Sequence, residues 1–239
     1  MKSNHQWFKD NLDSDGDGLC EWEGTDSGWD NSPRFDAGPV EALDLACWLY
    51  LDAVLLSTMA QRLAQIDDHF AFHDEAAAIL QRIQTDFWDA GQGFFFDLEV
   101  DTNIRRPVRS PATFLPLFVG AATPEQAAAV ALHLNDTNTF STLFPLPSVA
   151  PTDPAYSATN YWRGPVWIIL NALTIWGLER YDFDKEADAL RTKTLELIES
   201  QETTYEYYNS QNGEPLGGQD FMWTAALYIL LQGDDPTIW

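Results

Sequence analysis

The sequence predicts an all-α fold of paired helices with one small β-hairpin, and three observations predict it. Apolar residues recur at spacings of three and four over long stretches joined by short connections, the period of amphipathic helices. Strand-like and helix-like segments do not alternate, which argues against a parallel α/β sheet. An apolar fraction of 45% in 239 residues supplies one sizeable core, so residues 1–239 read as a single domain.

Each element has its own signal. Residues 39–66, "PVEALDLACWLYLDAVLLSTMAQRLAQI", predict the first long helix, with Pro39 in its first turn and Glu41 at the positive end of its dipole. A second helix is predicted over 70–88. The glycines and aromatic run of "DAGQGFFFDLEVDTN" predict a short strand or hairpin. "SPATFLPLFVGAATPEQAAAVALHL" reads as two shorter helices broken at Thr123-Pro124. Pro145, Pro147, Pro151 and Pro154 mark 135–163 as loop. Helices follow over 165–181, 184–200 and 220–231, which makes about seven in all.

The net charge of −24 repels phosphate backbones and anionic membranes, so nucleic-acid binding is disfavoured. No window of 18 uninterrupted apolar residues predicts a membrane span. "MKSNHQWFKD" lacks the apolar core of a signal peptide, which makes the cytoplasm the default compartment. Asp outnumbers Glu, and Lys occurs only at 2, 9, 185 and 193. That is the charge pattern of a surface tuned to high salt, or of an ordinarily acidic protein. Cys20 and Cys47 are too few for a disulfide framework, and Cys47 reads as a core thiol.

Three loops carry the unusual chemistry: "DSGWDNSPRFD" (26–36), "SATNYWRGPVW" (157–167) and "TTYEYYNSQNGEPLGGQDFMWTAAL" (203–227). Each precedes a predicted helix. Each sets aromatic rings beside carboxylate, amide or guanidinium groups. A sugar, with apolar C–H faces and a polar equator, needs that combination. Glycosidic cleavage adds a need for two carboxylates on opposite sides of the bond. Asp30, between Trp29 and Asn31, and Glu206, between Tyr205 and Tyr207, are the two candidates.

Together these stretches resemble glycoside hydrolase family 63, over roughly residues 11 to 231. The resemblance implies an (α/α)6 toroid and an inverting mechanism on an α-linked gluco- or manno-configured sugar. It matches Asp30 to the general acid and Glu206 to the general base. The acid has to stay protonated near neutrality, which an apolar ring such as Trp29 favours. Tyr161, Trp162, Arg163 and Trp167 would line the sugar pocket, with Trp162 or Trp167 as stacking platform; Tyr205, Tyr207 and Trp223 join them. Asn31 and Arg34 are candidate hydroxyl donors or braces, Arg34 through Asp36 or Asp26.

"DSDGDGLCEWE" spaces Asp13, Asp15 and Asp17 like the opening of an EF-hand loop, with Leu19 and Glu21 next in the alternation and Gly18 at the sharp turn. Position twelve is Gly24 rather than Glu, so Glu21, Glu23 or a remote carboxylate has to complete the shell. A structural Ca²⁺ is the expected ion.

A full toroid has twelve helices, and about seven are predicted here. The missing N-terminal part leaves apolar faces open, which favours a homo-oligomer. It also keeps a second reading in play, a carbohydrate-binding or assembly module with little or no turnover.

Overall fold

A computed structural model describes residues 2–233. The helices are α1 (Lys2–Leu12), α2 (Gly24–Ser27), α3 (Leu43–Arg62), α4 (Ile66–Thr85), α5 (Leu115–Val119), α6 (Pro124–Ala131), α7 (Ile168–Arg180), α8 (Asp184–Glu199) and α9 (Met222–Gln232). The strands are β1 (Glu21–Trp22), β2 (Val40–Glu41), β3 (Trp88–Asp89), β4 (Phe94–Phe95), β5 (Leu98–Glu99), β6 (Tyr205–Tyr208) and β7 (Pro215–Gln219). The long helices pair as α3–α4 and α7–α8, with α5 bridging α3 to α7 and α9 closing on α7. These are the hairpins of an (α/α)6 toroid, and the toroid is incomplete.

All seven predicted helices form, with shifted ends. The first starts at Leu43, not Pro39, because Val40 and Glu41 extend as β2 between β1 and β5. It stops at Arg62, and Ala64 takes a left-handed φ of 55° to turn the chain into α4. The break at Thr123-Pro124 is a full capping box: Thr123 Oγ1 accepts from the Gln126 amide, and the Gln126 side chain accepts from the Thr123 amide. The short β-hairpin is β3–β4, and its Phe94 and Phe95 are buried.

Two short helices escape the periodicity signal. α1 fully buries only His5, while Phe8 and Leu12 are half-buried against the core. His5 bonds Asp52 of α3 at 2.7 Å and Glu75 of α4 at 3.1 Å, so polar contacts add to the packing of Phe8 and Leu12 in docking this helix. α2 is a single turn. The stretch 203–219, expected as loop, is the β6–β7 hairpin.

α3 is long and apolar enough to cross a membrane by length and composition. Here it is the central helix, burying Leu43, Ala46, Cys47 and Leu49 beneath α4 and α5. Both cysteines are buried free thiols.

Candidate active site

The three loops meet through their aromatic rings. Trp29 lies 5.1 Å from Trp162, Trp162 stacks in parallel on Trp167 at 3.8 Å, and Trp167 stacks on Tyr207 at 4.8 Å. One ring stack therefore joins all three segments. The faces of Trp162 and Trp167 are spent on these neighbours, and the two residues are only 3% and 2% exposed. Neither is therefore free to act as the expected platform; of the other predicted rings Tyr161 and Tyr207 are half-buried and Trp223 is 45% exposed.

Hydrogen bonds lock the first loop to the second. Asn31 Oδ1 accepts from the Trp162 amide at 2.9 Å, and its Nδ2 donates to Asn160 at 3.1 Å. Arg163 forks onto Asp36. Both side chains are thus occupied as braces between loops. Arg34 is fully buried and cannot reach a sugar. Its guanidinium donates to Asp44 (2.7 and 3.1 Å) and Asp97 (2.7 and 2.8 Å), beneath the Trp29 ring. Burial opposes its charge, yet the two carboxylates hold its pKa above the ordinary value. Neither Asp26 nor Asp36 is its partner.

Asp30 is exposed, and Trp29 packs inward on the stack instead of drying the Asp30 carboxyl. The Asp30 carbonyl presses on Gly24, where any Cβ would come within 2.0 Å of it. Glu206 lies where the register of β6 against β7 shifts, a bulge that turns Glu206 and Tyr207 together toward β7. Its Oε2 accepts from the Gly218 amide at 3.0 Å. Tyr205 is tied to α9 by a 2.7 Å bond from Thr224 to its carbonyl.

Tyr161 lies beside both carboxylates. Its hydroxyl donates to Glu206 Oε1 at 3.5 Å; burial, then the Glu206 and Asp30 charges, push the phenol up to about 12. Tyr161 holds a left-handed φ of 46°, and its carbonyl accepts from Trp167 Nε1 at 3.0 Å.

The acidic stretch lies apart from this cleft. Oxygens of Asp13, Asp15 and Glu21 converge within 4.8 Å of one another, as do those of Asp15, Asp17 and Glu41. Asp17 also pairs with Arg82 at 2.8 Å, and the Leu19 amide donates to Asp17 at 2.9 Å.

Glu41, Asp44, Asp97, Asn160 and Gly217 were missed as functional positions. The signal for the first three was present: single carboxylates inside apolar runs, "PVEALDLAC" and "FFFDLE". Such a charge needs a partner, but the run does not name it.

Carboxylates beside a stack of aromatic rings, carried on toroid hairpins, are the features of a glycoside hydrolase domain. The model of the mannosylglycerate hydrolase MGH1-like glycoside hydrolase domain matches residues 1–224, and the chain belongs to that family, within glycoside hydrolase family 63. Mannosylglycerate hydrolase MGH1 of Selaginella moellendorffii is 39% identical over 52% of this chain and 25% of its own length. The mannosylglycerate hydrolase of one Thermus thermophilus strain is 38% identical over 59% of this chain and 34% of its own. The crystal structure of the family 63 mannosylglycerate hydrolase from another Thermus thermophilus strain, in complex with glucose, superposes with a TM-score of 0.83 at 26% identity, covering 95% of this chain and 66% of that one. The alignments thus span a quarter to a third of those two curated relatives' length.

Proposed function

We propose that this chain carries the acid and base of an inverting hydrolase that releases an α-linked mannosyl or glucosyl unit from glycerate. The observation that carries the reading is that Tyr161, beside the stack of Trp162, Trp167 and Tyr207, donates to Glu206 and also feels the charge of Asp30. Relatives named for mannosylglycerate and glucosylglycerate hydrolysis support the substrate class.

In the proposed reaction Asp30 gives its proton to the glycosidic oxygen as the bond to the anomeric carbon breaks. Glu206 takes a proton from a water whose oxygen bonds that carbon from the opposite face. Glycerate leaves with its hydroxyl restored, and the sugar leaves with inverted configuration. The Tyr161 hydroxyl and the Gly218 amide orient the base, one on each carboxyl oxygen.

Incubation with α-mannosylglycerate, α-glucosylglycerate and an α-linked disaccharide, followed by proton NMR of fresh product, tests this. Release of sugar from a glycerate glycoside, β-anomer first, is the expected result. Asp30→Asn should lose turnover on these substrates and retain more on activated aryl glycosides. The exposure of Asp30 favours one second reading, a binding module. Saturable sugar binding without product would establish that reading instead.

A further inference from the structure

Glu206 sits on the least regular backbone of its hairpin. Tyr205 pairs with Gln219 and Tyr207 with Leu216, so Glu206 alone faces two residues of β7, Gly217 and Gly218. A strand ladder is disrupted at such a bulge and no longer fixes the direction of the residue there. Other contacts have to hold the carboxylate in place.

Tyr208 supplies one. It is 0% exposed, and its backbone exchanges two hydrogen bonds with Val166, at 2.7 and 3.0 Å. Val166 directly precedes Trp167, so this rung moors β6 to the second loop. From that mooring the Tyr208 hydroxyl reaches back across the bulge and accepts from the Tyr205 amide at 3.1 Å. Thr224, 2% exposed in the first turn of α9, donates to the Tyr205 carbonyl at 2.7 Å. Two buried side chains thus engage both polar groups of the Tyr205 backbone, one residue before Glu206. A buried hydroxyl is costly unless it is bonded, and Phe would fill the same space without it.

We propose that Tyr208 is a positioning residue for Glu206: its hydroxyl, together with that of Thr224, fixes the bulge so that the carboxyl meets the Gly218 amide at 3.0 Å and the Tyr161 hydroxyl at 3.5 Å. Tyr208 takes this role on the reading of Glu206 as the base. It acts through the backbone of β6 and touches no reacting atom.

Amide NMR and steady-state kinetics on the full chain test this, with Tyr208→Phe, Thr224→Val and Thr224→Ser as variants. Tyr181→Phe is the control, because its hydroxyl also bonds a backbone group, the Ala122 carbonyl at 2.7 Å, but at the far end of α7. Glu206→Gln first marks how the Gly218 amide resonance responds when the carboxylate is lost. Tyr208→Phe should shift that resonance and speed exchange of the Tyr205 amide by roughly tenfold or more. It should lower kcat by roughly tenfold or more, with KM held within about twofold. Thr224→Val should shift the Gly218 resonance and lower kcat likewise, and Thr224→Ser should recover both. Tyr181→Phe should lower Tm and leave these readouts at the parent's values. If Tyr208→Phe does not fold, the two Thr224 variants decide. An unmoved Gly218 resonance in the folded variants would overturn the proposal, as would a kcat equal to the parent's. A parent chain without turnover would remove the base reading alone, since the two amides still report whether Tyr208 holds Glu206.

Discussion

The Trp162 amide donates to Asn31 Oδ1 at 2.9 Å, a bond between residues 131 positions apart. It ties the loop that presents Asp30 to the loop that presents Tyr161. Arg163–Asp36 and Trp29–Trp162 join the same two loops. Asn31→Ala should cost about 1–2 kcal/mol, because the Trp162 amide and Asn160 both lose a partner. Near-ultraviolet circular dichroism of the Trp stack should change with it. Asn31→Asp keeps the acceptor and should retain more of both.

Gly217 sits with φ of +73°, and a Cβ there would come 2.5 Å from Glu206 Oε2 and 2.6 Å from the Tyr207 ring. Gly217→Ala should therefore displace Glu206 and cut turnover by roughly 10²-fold, the cost of a misplaced catalytic group. Gly218→Ala meets only ordinary contacts at 3.6 and 3.8 Å, which makes it the control. Steady-state kinetics on both variants checks the contrast.

Arg34 is the keystone of a buried ion triad. Arg34→Met strands Asp44 and Asp97 as uncompensated charges and should cost about 3–5 kcal/mol in urea denaturation. Arg34→Lys should recover only part, since an ammonium cannot fork onto two carboxylates. Adding Asp44→Asn and Asp97→Asn to Arg34→Met should restore stability, because the unpaired charges are gone.

The docking of α1 should depend on pH. The hydrogen bond to Glu75 is the largest influence on His5; with Asp52 it raises the imidazole above its ordinary 6.5 despite burial. That contribution is complete below pH 6.5 and fades as pH rises through the higher folded value. Burial works against the Glu75 charge, but His5 and Lys9 lower its pKa below the ordinary 4.5. Its contribution is present above pH 4.5 and fades as pH falls through the lower folded value. α1 should thus be held tightest between pH 4.5 and 6.5. His5→Gln should lose about 1–3 kcal/mol there and less at pH 9. Hydrogen exchange of residues 2–12 across pH reports it.

Trp7, Leu55, Ile66 and Phe70 expose apolar surface on the N-terminal helices. We expect these faces to meet in a homo-oligomer, seen as a mass above 27.0 kDa in light scattering. Phe70→Glu should shift it toward monomer.

The sequence by itself determined the helices and the composition of the three loops. A 3.6-residue apolar period records which face of a segment is buried, and that signal is local. It also determined which carboxylates stand beside rings, and the alternate acidic spacing ahead of them. What lies opposite each face is not local. Tertiary structure decided that Trp162 and Trp167 stack on each other, that Arg34 pairs Asp97 across 63 positions, and that Glu41 turns from a helix end into a strand facing Glu21. It also folded the expected third loop into a hairpin whose bulge aims Glu206. The physical reason is the same in each case: a buried ring or charge is satisfied by whichever group packing brings against it, and neighbours in sequence do not specify that group.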